Sequence, residues 1–166
     1  MSNLIRIEFF DKSSLPDGIW KRREPDLCFW YRHTFPCLAL REPVSGTWKG
    51  FVGLPKGHPA HNKTFDQLLE FKWFLEMEVY GGISYVGKLA TIDKAYAPTQ
   101  TWWLSFDTNL EGEDLSPVML EKTEDGQQPK MGPFGPITYK DLHFVRREVN
   151  DLARQLFGVS QLKSKE

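Results

Sequence analysis

Thr101-Trp-Trp-Leu-Ser-Phe-Asp-Thr108 is the segment that best indicates the fold of this chain. Its residues alternate in the period of a β-strand, in which successive side chains point to opposite faces. We predict that Trp102, Leu104 and Phe106 face a hydrophobic core. The opposite face would then carry an aromatic ring, a hydroxyl and a carboxylate, on Trp103, Ser105 and Asp107.

The segment Glu76–Tyr85 shows a similar alternation and predicts a second strand beside the first. Its polar side would present Glu76, Glu78, Tyr80 and Ser84. The pair Gly81-Gly82 inside it indicates a bulge or a close approach to the backbone. If the two strands are neighbours, their polar sides form one acidic and aromatic hollow.

Further elements follow from local patterns. Strands are predicted over residues 4–10, 28–35, 37–41 and 47–54, with a break at Pro36 and a hairpin across Ser45-Gly46. A short helix is expected after Thr64, with Gln67 at the capping-box position, and it should end near Lys72. The last helix should begin at Thr138, repeat apolar residues at steps of three and four, and stop at Gly158.

These elements predict an α+β fold. Strands outnumber helices and do not alternate with them, so we expect a single domain with a curved, mostly antiparallel sheet. The C-terminal amphipathic helix and the one short helix should cover that sheet. Residues 1–159 would form the globular domain and residues 160–166 a flexible tail, while residues 109–136 would include a mobile excursion.

Composition limits the classes of function. Hydrophobic residues make up 40% and charged residues 26% of the 166, as in ordinary soluble domains. The net charge of −1 argues against non-specific nucleic-acid binding, which needs clustered cations. The aromatic content of 14% is high and indicates that some rings line a binding surface. No signal-peptide pattern and no apolar run of about 18 residues is present, so we expect a cytoplasmic protein without membrane contact.

Two cysteines, Cys28 and Cys37, provide neither a disulfide framework nor metal-ligand spacing. A reduced pair is the simpler interpretation, and whether they ever pair is left open. The sequence His58-Pro-Ala-His61 could supply two metal ligands, but without a third ligand at a known spacing a solvated loop shaped by Gly57 and Pro59 is the better explanation. We therefore assign no metal and no cofactor.

The carboxylates are the stronger candidates for chemistry. Glu78 and Asp107 would converge if the two central strands pair. Such a pair could bind a divalent cation through oxygens, or act as a raised-pKa acid beside an ionised base. The alternative is a sheet face that is acidic because it meets solvent. Trp103 and Tyr80 on the same side argue against that alternative, because large aromatic rings rarely face plain water.

Four motifs in order resemble those of a family of small uncharacterised proteins found in phage genomes and some bacteria. They are the segment 50–59 ending in Gly57-His-Pro59, Val79-Tyr-Gly-Gly-Ile-Ser-Tyr85, Trp102-Trp-Leu-Ser-Phe-Asp-Thr108, and the segment 139–156. The family usually has His at the position of Tyr80 and Cys at the position of Thr108. A second family His is replaced by Asn109 or Leu110. The resemblance therefore implies a binding pocket rather than metal catalysis.

Three hypotheses follow. In the first, a phage-type protein holds a small ligand, a nucleotide or nucleotide-derived immune signal, and so blunts a host defence in the host cytoplasm. The ligand-binding candidates are Tyr80, Trp103, Asp107, Glu78, His58 and Ser105. In the second, Asp107, Glu78 and His58, with Glu148 as a further candidate, serve a metal-dependent or acid–base hydrolase.

In the third hypothesis, an exposed aromatic patch and the acidic loop from Glu111 to Asp125 inhibit a host enzyme. We rank binding above catalysis. The identity of the ligand or target, any residual catalysis and the oligomeric state stay open.

Overall fold

A computed structural model of the chain describes residues 4–98, 100–121 and 137–163. Its strands are β1 (Ile5–Ile7), β2 (Leu27–Arg32), β3 (Phe35–Arg41), β4 (Trp48–Leu54), β5 (Tyr85–Gly87) and β6 (Trp102–Asp107). Its helices are α1 (Ile19–Arg22), α2 (Phe65–Leu68), α3 (Lys72–Leu75), α4 (Ala90–Ala95), α5 (Pro117–Glu121) and α6 (Leu142–Lys163). Within these ranges the strands form one sheet in the order β1-β2-β3-β4-β6-β5.

Every strand pair in that sheet is antiparallel. The predicted α+β fold, with a mostly antiparallel sheet covered by the C-terminal helix, is therefore confirmed. The predicted β6 is also confirmed: it lies between β4 and β5, with Lys49 opposite Asp107 and Tyr85 opposite Ser105. The β3–β4 hairpin across Ser45-Gly46 forms as expected.

The strand predicted over residues 76–84 is wrong. This segment follows α3 and is instead a loop, in which Gly81 and Gly82 have φ angles of 68° and 79°. Gly82 N donates to Val79 O at 2.9 Å, which closes a turn. A left-handed backbone at consecutive residues cannot continue a strand, so only Tyr85–Gly87 pairs with β6.

The break predicted at Pro36 is also misplaced. Pro36 lies inside β3, opposite Tyr31. The chain reverses direction before it, at His33 and Thr34. Both turn residues have positive φ angles, of 53° and 68°. This is the backbone of a two-residue hairpin turn, without the Asn-Gly or Asp-Gly pair that normally marks one.

Helix α6 covers one face of the sheet, which we call the helix face. Val145, Val149, Leu152 and Leu156 are essentially buried, and they pack in one cluster with Trp30, Val52, Leu104 and Phe106. The predicted start at Thr138 is wrong, because Phe144 N donates to the Asp141 carboxylate at 2.8 Å and Asp141 therefore caps the helix. The helix also passes through Gly158 to Lys163, beyond the boundary expected at residue 159.

The short helix α2 begins where the sequence predicts. Gln67 N donates to Thr64 Oγ1, and Thr64 N donates to Gln67 Oε1, so the capping box is complete. The helix ends at Leu68, earlier than expected, and Leu68 is buried in the helix-face core. In the described ranges no helix combines the length and the hydropathy needed to cross a membrane.

The opposite face of the sheet, which we call the second face, is also partly covered. Leu89, Ile92 and Tyr96 in and around α4 pack against a cluster that contains Phe29, Phe51 and Trp103. Trp103 is 0% exposed and its ring meets Phe51 edge-on. The sequence predicted Trp103 as a ligand-binding ring on the polar side of the sheet; its full burial contradicts that prediction, because the residues in and around α4 make a second core on this side.

A buried ion-pair network joins the N-terminal segment to the sheet and to α6. Arg41 Nε donates to Asp26 at 2.7 Å, and its Nη2 donates to Glu24 at 3.3 Å. Glu24 also accepts from the Tyr139 hydroxyl and from Leu142 N, the first residue of α6. Because each charge has several partners, the network offsets the cost of burying it.

Candidate functional site

Two adjoining pockets of about 320 and about 410 Å³ open on the second face of the sheet. Both are lined by Lys49, Ser84 and Asp107, and we call the combined space the Asp107 groove. The first pocket is completed by Glu42, Gly81, Asn109 and Leu110. The second is completed by Phe51, Tyr85, Leu89 and Ser105. Each volume falls in the range of small-molecule sites.

Strand register brings the central groups of the groove together. Lys49 on β4 pairs with Asp107 on β6, and Ser105, two residues earlier, pairs with both Phe51 and Tyr85. Residues that pair across strands point to the same face, as do residues two apart on one strand. The groove therefore has Ser105 between two aromatic rings, and a lysine and an aspartate in the next row.

The Asp107 carboxylate has a loose ionic contact in the groove. Lys49 Nζ lies 3.9 Å from Asp107 Oδ1, longer than a hydrogen bond, and the two side chains are 37% and 31% exposed. Within the described ranges, no hydrogen bond to the Asp107 carboxylate is found. A carboxylate can accept several hydrogen bonds, so most of the capacity of Asp107 is open to a ligand.

Glu42 forms the rim of the groove but is engaged in a turn. Its Oε2 accepts from Val44 N at 3.0 Å, and from Ser45 N at 2.8 Å and Ser45 Oγ at 3.1 Å. Burial alone would raise the pKa of Glu42, but these hydrogen bonds outweigh it and hold the pKa below its ordinary value. Glu42 thus adds negative charge to the rim, while its main task is to fix the β3–β4 hairpin.

Tyr85 supplies a fixed aromatic ring beside the groove. Its hydroxyl donates to Lys88 O at 2.6 Å, which fixes the direction of the side chain. The side chain is nevertheless 42% exposed. A restrained, half-exposed ring can stack on a planar ligand with little further loss of side-chain entropy.

Asp114 connects two segments that form walls of the groove. Its buried carboxylate accepts from the Tyr80 hydroxyl at 2.6 Å, and from Leu110 N at 2.8 Å. Leu110 lines the groove directly, and Tyr80 immediately precedes the lining residue Gly81. Lys140 Nζ, 3.0 Å from the same carboxylate, balances its charge. Burial, and then the hydrogen bond to Asp114, raise the pKa of Tyr80 well above its ordinary range.

The structure brings together only part of the predicted site. Asp107 and Ser105 both line the groove, whereas Trp103 is buried beneath α4. Tyr80 turns away from Asp107 and packs on Phe144 of α6, with ring centroids 5.1 Å apart. The expectation that Tyr80 and Asp107 share one hollow depended on a strand over residues 76–84, which does not form.

Glu78 lies elsewhere. Its backbone N–H donates to Gln155 Oε1 at 2.9 Å, and Gln155 Nε2 donates to its carbonyl at 2.8 Å, so this part of the chain is tied to α6. The Glu78 side chain is exposed. Glu78 is absent from the described lining of the Asp107 groove.

His58 is a buried structural residue. Its Nδ1 accepts from Ala60 N at 3.0 Å, so its Nε2 carries the proton and donates to Leu156 O at 2.8 Å. This side chain therefore joins the loop after β4 to α6. His61 Nε2 contacts Gln100 O at 2.6 Å instead of sharing a site with His58. In the described ranges, no group of three or more His, Cys, Asp or Glu side chains could hold a metal ion.

Sequence reasoning missed Lys49 and Tyr85 as groove residues, whereas Ser84, expected on the polar side of the predicted hollow, does line the groove. Lys49 carries a usable signal, since it is the lone charge within the largely apolar segment 48–54. A cation inside such a strand suggests a carboxylate partner on the neighbouring strand. Unbroken alternation from Glu76 would place Tyr85 on the apolar side of a strand, and the turn at Gly81-Gly82 removes that relationship.

Comparisons with known proteins identify neither a family nor a function for this chain. No protein-family model, no curated protein and no solved structure matches this chain. The resemblance to a phage-associated family therefore stays a prediction from four motifs.

Proposed function

We propose that this protein binds a nucleotide-like small molecule in the Asp107 groove. The observation that carries the proposal is the Asp107 carboxylate, which lines a groove of ligand size and has only a loose contact with Lys49 as a described partner. A carboxylate that is 31% exposed can accept hydrogen bonds from a ligand as well as from water. An open carboxylate beside a pocket therefore suits recognition of N–H donors on a ligand.

The surrounding residues match the parts of a nucleotide. Tyr85 offers a ring face on which a base can stack, and Asp107, two residues along β6 from the partner of Tyr85, offers oxygens for N–H groups of the ligand. Lys49 is 37% exposed and can turn toward a phosphate, since its ammonium is not hydrogen-bonded to Asp107. The ligand-binding residues that we propose are thus Asp107, Lys49, Tyr85, Ser84 and Ser105.

The motif resemblance suggests a biological setting for such a binder. In a phage protein, tight and stoichiometric binding of a nucleotide-derived immune signal would lower its free concentration in the host cytoplasm. Sequestration needs affinity and abundance but no chemistry. It therefore agrees with the replacement of the family's usual His and Cys by Tyr80 and Thr108.

A panel of mononucleotides and cyclic nucleotides, measured by thermal shift and then by calorimetry, tests the proposal. Tyr85→Ala should weaken binding by about 1–3 kcal/mol, the usual value for stacking on one base. Tyr31→Ala is the matched control, because Tyr31 is 43% exposed against 42% for Tyr85, and it lies outside the groove. Lys49→Ala should weaken only the phosphorylated ligands, with the exposed Lys72→Ala as its control.

If no compound in the panel shifts the melting temperature or produces heat, the nucleotide proposal is wrong. Equal losses for Tyr85→Ala and Tyr31→Ala would separately exclude this groove as the site. Either result can be obtained without knowing the natural ligand.

The hydrolase hypothesis receives less support than binding. Its three residues are held in different surroundings: His58 is hydrogen-bonded to Leu156 O, the backbone of Glu78 is tied to Gln155, and Asp107 lines the groove. Glu148 lies on α6, where burial and the neighbouring Asp151 raise its pKa. Metal analysis of the purified protein remains the direct test of this hypothesis.

Protein binding is a second candidate, favoured by one apolar surface. Leu75, Leu69 and Phe65, on and between α2 and α3, are 63%, 42% and 41% exposed. An inhibitor of a host enzyme could use this surface. The other predicted element, the acidic loop from Glu111 to Asp125, falls from residue 122 onward outside the described residues. Loss of a co-purifying host protein on Leu75→Lys substitution would support this candidate.

A further inference from the structure

We infer that the Asp107 groove selects guanine among the bases. This inference rests on the proposed function and deepens it by naming the ligand class. A carboxylate only accepts hydrogen bonds, so its best planar partner presents two neighbouring N–H donors. On its Watson–Crick edge, guanine presents N1–H beside the 2-amino group. Adenine and cytosine present one amino group beside a ring nitrogen that is itself an acceptor, which would repel a carboxylate oxygen.

The structure leaves the Asp107 carboxylate open for such a pair of bonds. Its nearest described cation, Lys49 Nζ, is 3.9 Å away, and no described N–H group donates to it. Ser105, on the same strand, and Thr108, immediately after the strand, are buried, and the Thr108 hydroxyl donates to Trp48 O at 2.8 Å. Among the residues that the structure describes, a ligand edge therefore competes for Asp107 with solvent and with the loose contact from Lys49 only.

Two further features favour a neutral planar ligand over a guanidinium cation such as arginine, which also presents paired N–H donors. Lys49 lies beside Asp107, so a second cation at the carboxylate would meet like charge. The Tyr85 ring, fixed through its bond to Lys88 O, is large enough to stack on a purine. Guanine meets both conditions because it is uncharged and flat.

Calorimetry of the full chain with GMP, IMP and AMP tests the inference. IMP differs from GMP by the loss of the 2-amino group alone, so it removes one of the two proposed bonds. We expect GMP to bind at least about tenfold more tightly than either IMP or AMP, in keeping with the usual discrimination by a bidentate pair. This comparison uses the unmodified protein, so it does not depend on the folding of any variant.

Asp107→Asn supplies a second, independent measurement. An amide presents one acceptor and one donor, which suits adenine better than guanine. The variant should therefore lose GMP affinity and keep or gain AMP affinity, a reversal that general damage to the protein would not produce. Asp66→Asn, an exposed aspartate on α2, is the matched control and should leave the ratio of GMP to AMP unchanged.

The possible failures can be told apart. If GMP, IMP and AMP bind equally well, and Asp107→Asn leaves their ratio unchanged, guanine selection is overturned while nucleotide binding stands. If L-arginine binds more tightly than GMP and displaces it, the paired donors belong to a guanidinium group and the inference is equally overturned. If none of the three nucleotides binds, the inference and the proposed function fail together.

Discussion

The hydroxyl of Tyr80 donates a 2.6 Å hydrogen bond to Oδ1 of Asp114, whose side chain is fully buried. The other oxygen of the same carboxylate accepts from Leu110 N at 2.8 Å. One aspartate thus joins the glycine turn at Gly81-Gly82 to the loop that follows β6. Because Gly81 and Leu110 both line the Asp107 groove, this hydrogen-bonded pair sets the spacing of its walls.

Tyr80→Phe removes only the hydroxyl and leaves the ring on Phe144. We expect a loss of about 1–2 kcal/mol in the free energy of unfolding, because a buried acceptor loses one of its donors. Urea denaturation of the purified variant measures this. Tyr31→Phe is the control, since Tyr31 is exposed and no hydrogen bond from its hydroxyl is described. Equal stabilities for the two variants would show that the Tyr80–Asp114 hydrogen bond does not stabilise the fold.

Two glycine-to-alanine substitutions should have opposite effects. A Cβ atom at Gly50 would lie 2.5 Å from the Phe106 ring and 2.6 Å from Val149 Cγ2. Gly50 therefore allows α6 to approach β4, and Gly50→Ala should cost about 1–3 kcal/mol through overpacking.

At Gly158, inside α6, a Cβ atom would meet nothing within 4 Å. Gly158→Ala should therefore stabilise the protein by about 0.4–1 kcal/mol, because alanine restricts the unfolded chain and favours the helix. Thermal unfolding of both variants beside the wild type shows whether each substitution raises or lowers the stability. A stabilising Gly50→Ala would contradict the close approach of α6.

Asp26 should make stability depend on acid pH. Burial alone would raise its pKa, but hydrogen bonds from Phe10 N and Phe9 N, together with Lys12 and Arg41, outweigh burial and lower the pKa below its ordinary value of 3.8. The folded state thus holds this proton less tightly than the unfolded state. The contribution of Asp26 is present above pH 3.8 and is lost as the pH falls through its lowered folded-state pKa.

Urea unfolding between about pH 6 and about pH 2.5 should therefore show a falling free energy of unfolding, with a shallower slope for Asp26→Asn. At neutral pH that variant should also be less stable by about 3–5 kcal/mol, because Arg41 loses one of its two charged partners inside the protein and Lys12 loses the same carboxylate. Asp17→Asn, whose ion pair with Arg22 is exposed, is the control and should keep the slope of the wild type. A slope unchanged by Asp26→Asn would assign the acid sensitivity to other carboxyl groups.

The cysteines should be unreactive in the folded protein. Cys28 and Cys37 are both free and 0% exposed. Burial raises the pKa of both thiols, that of Cys37 to about 12, so little thiolate exists near neutral pH. Labelling with a thiol-specific disulfide reagent should consume no cysteine in buffer and both in denaturant. Rapid labelling in buffer would show that the β2–β3 region opens readily.

Local patterns predicted much of this fold because they act within a few residues of the chain. The alternation in residues 102–107 gave a correct strand, and the Thr64–Gln67 pair gave a correct helix start. The spacing of Val145, Val149, Leu152 and Leu156 correctly identified the helix that covers the sheet. Each of these signals is written in the sequence itself, since backbone geometry and local capping need no distant partner.

The errors about the site mostly concern contacts between distant parts of the chain. Alternation cannot show that α4 will cover Trp103, nor that Asp114, 34 residues beyond Tyr80, will draw the Tyr80 hydroxyl away from Asp107. Period-2 patterning also cannot distinguish a strand from a segment whose paired glycines take positive φ.

The sequence by itself therefore determined the antiparallel sheet, the helix that covers one of its faces, and Asp107 as a candidate at the end of a central strand. Only the tertiary structure decided which side chains join Asp107: Lys49 through the register of β4 with β6, and Tyr85 through its pairing with Ser105. The physical reason is that local propensity acts over neighbouring residues, whereas a binding groove is made of side chains that strand register alone brings side by side.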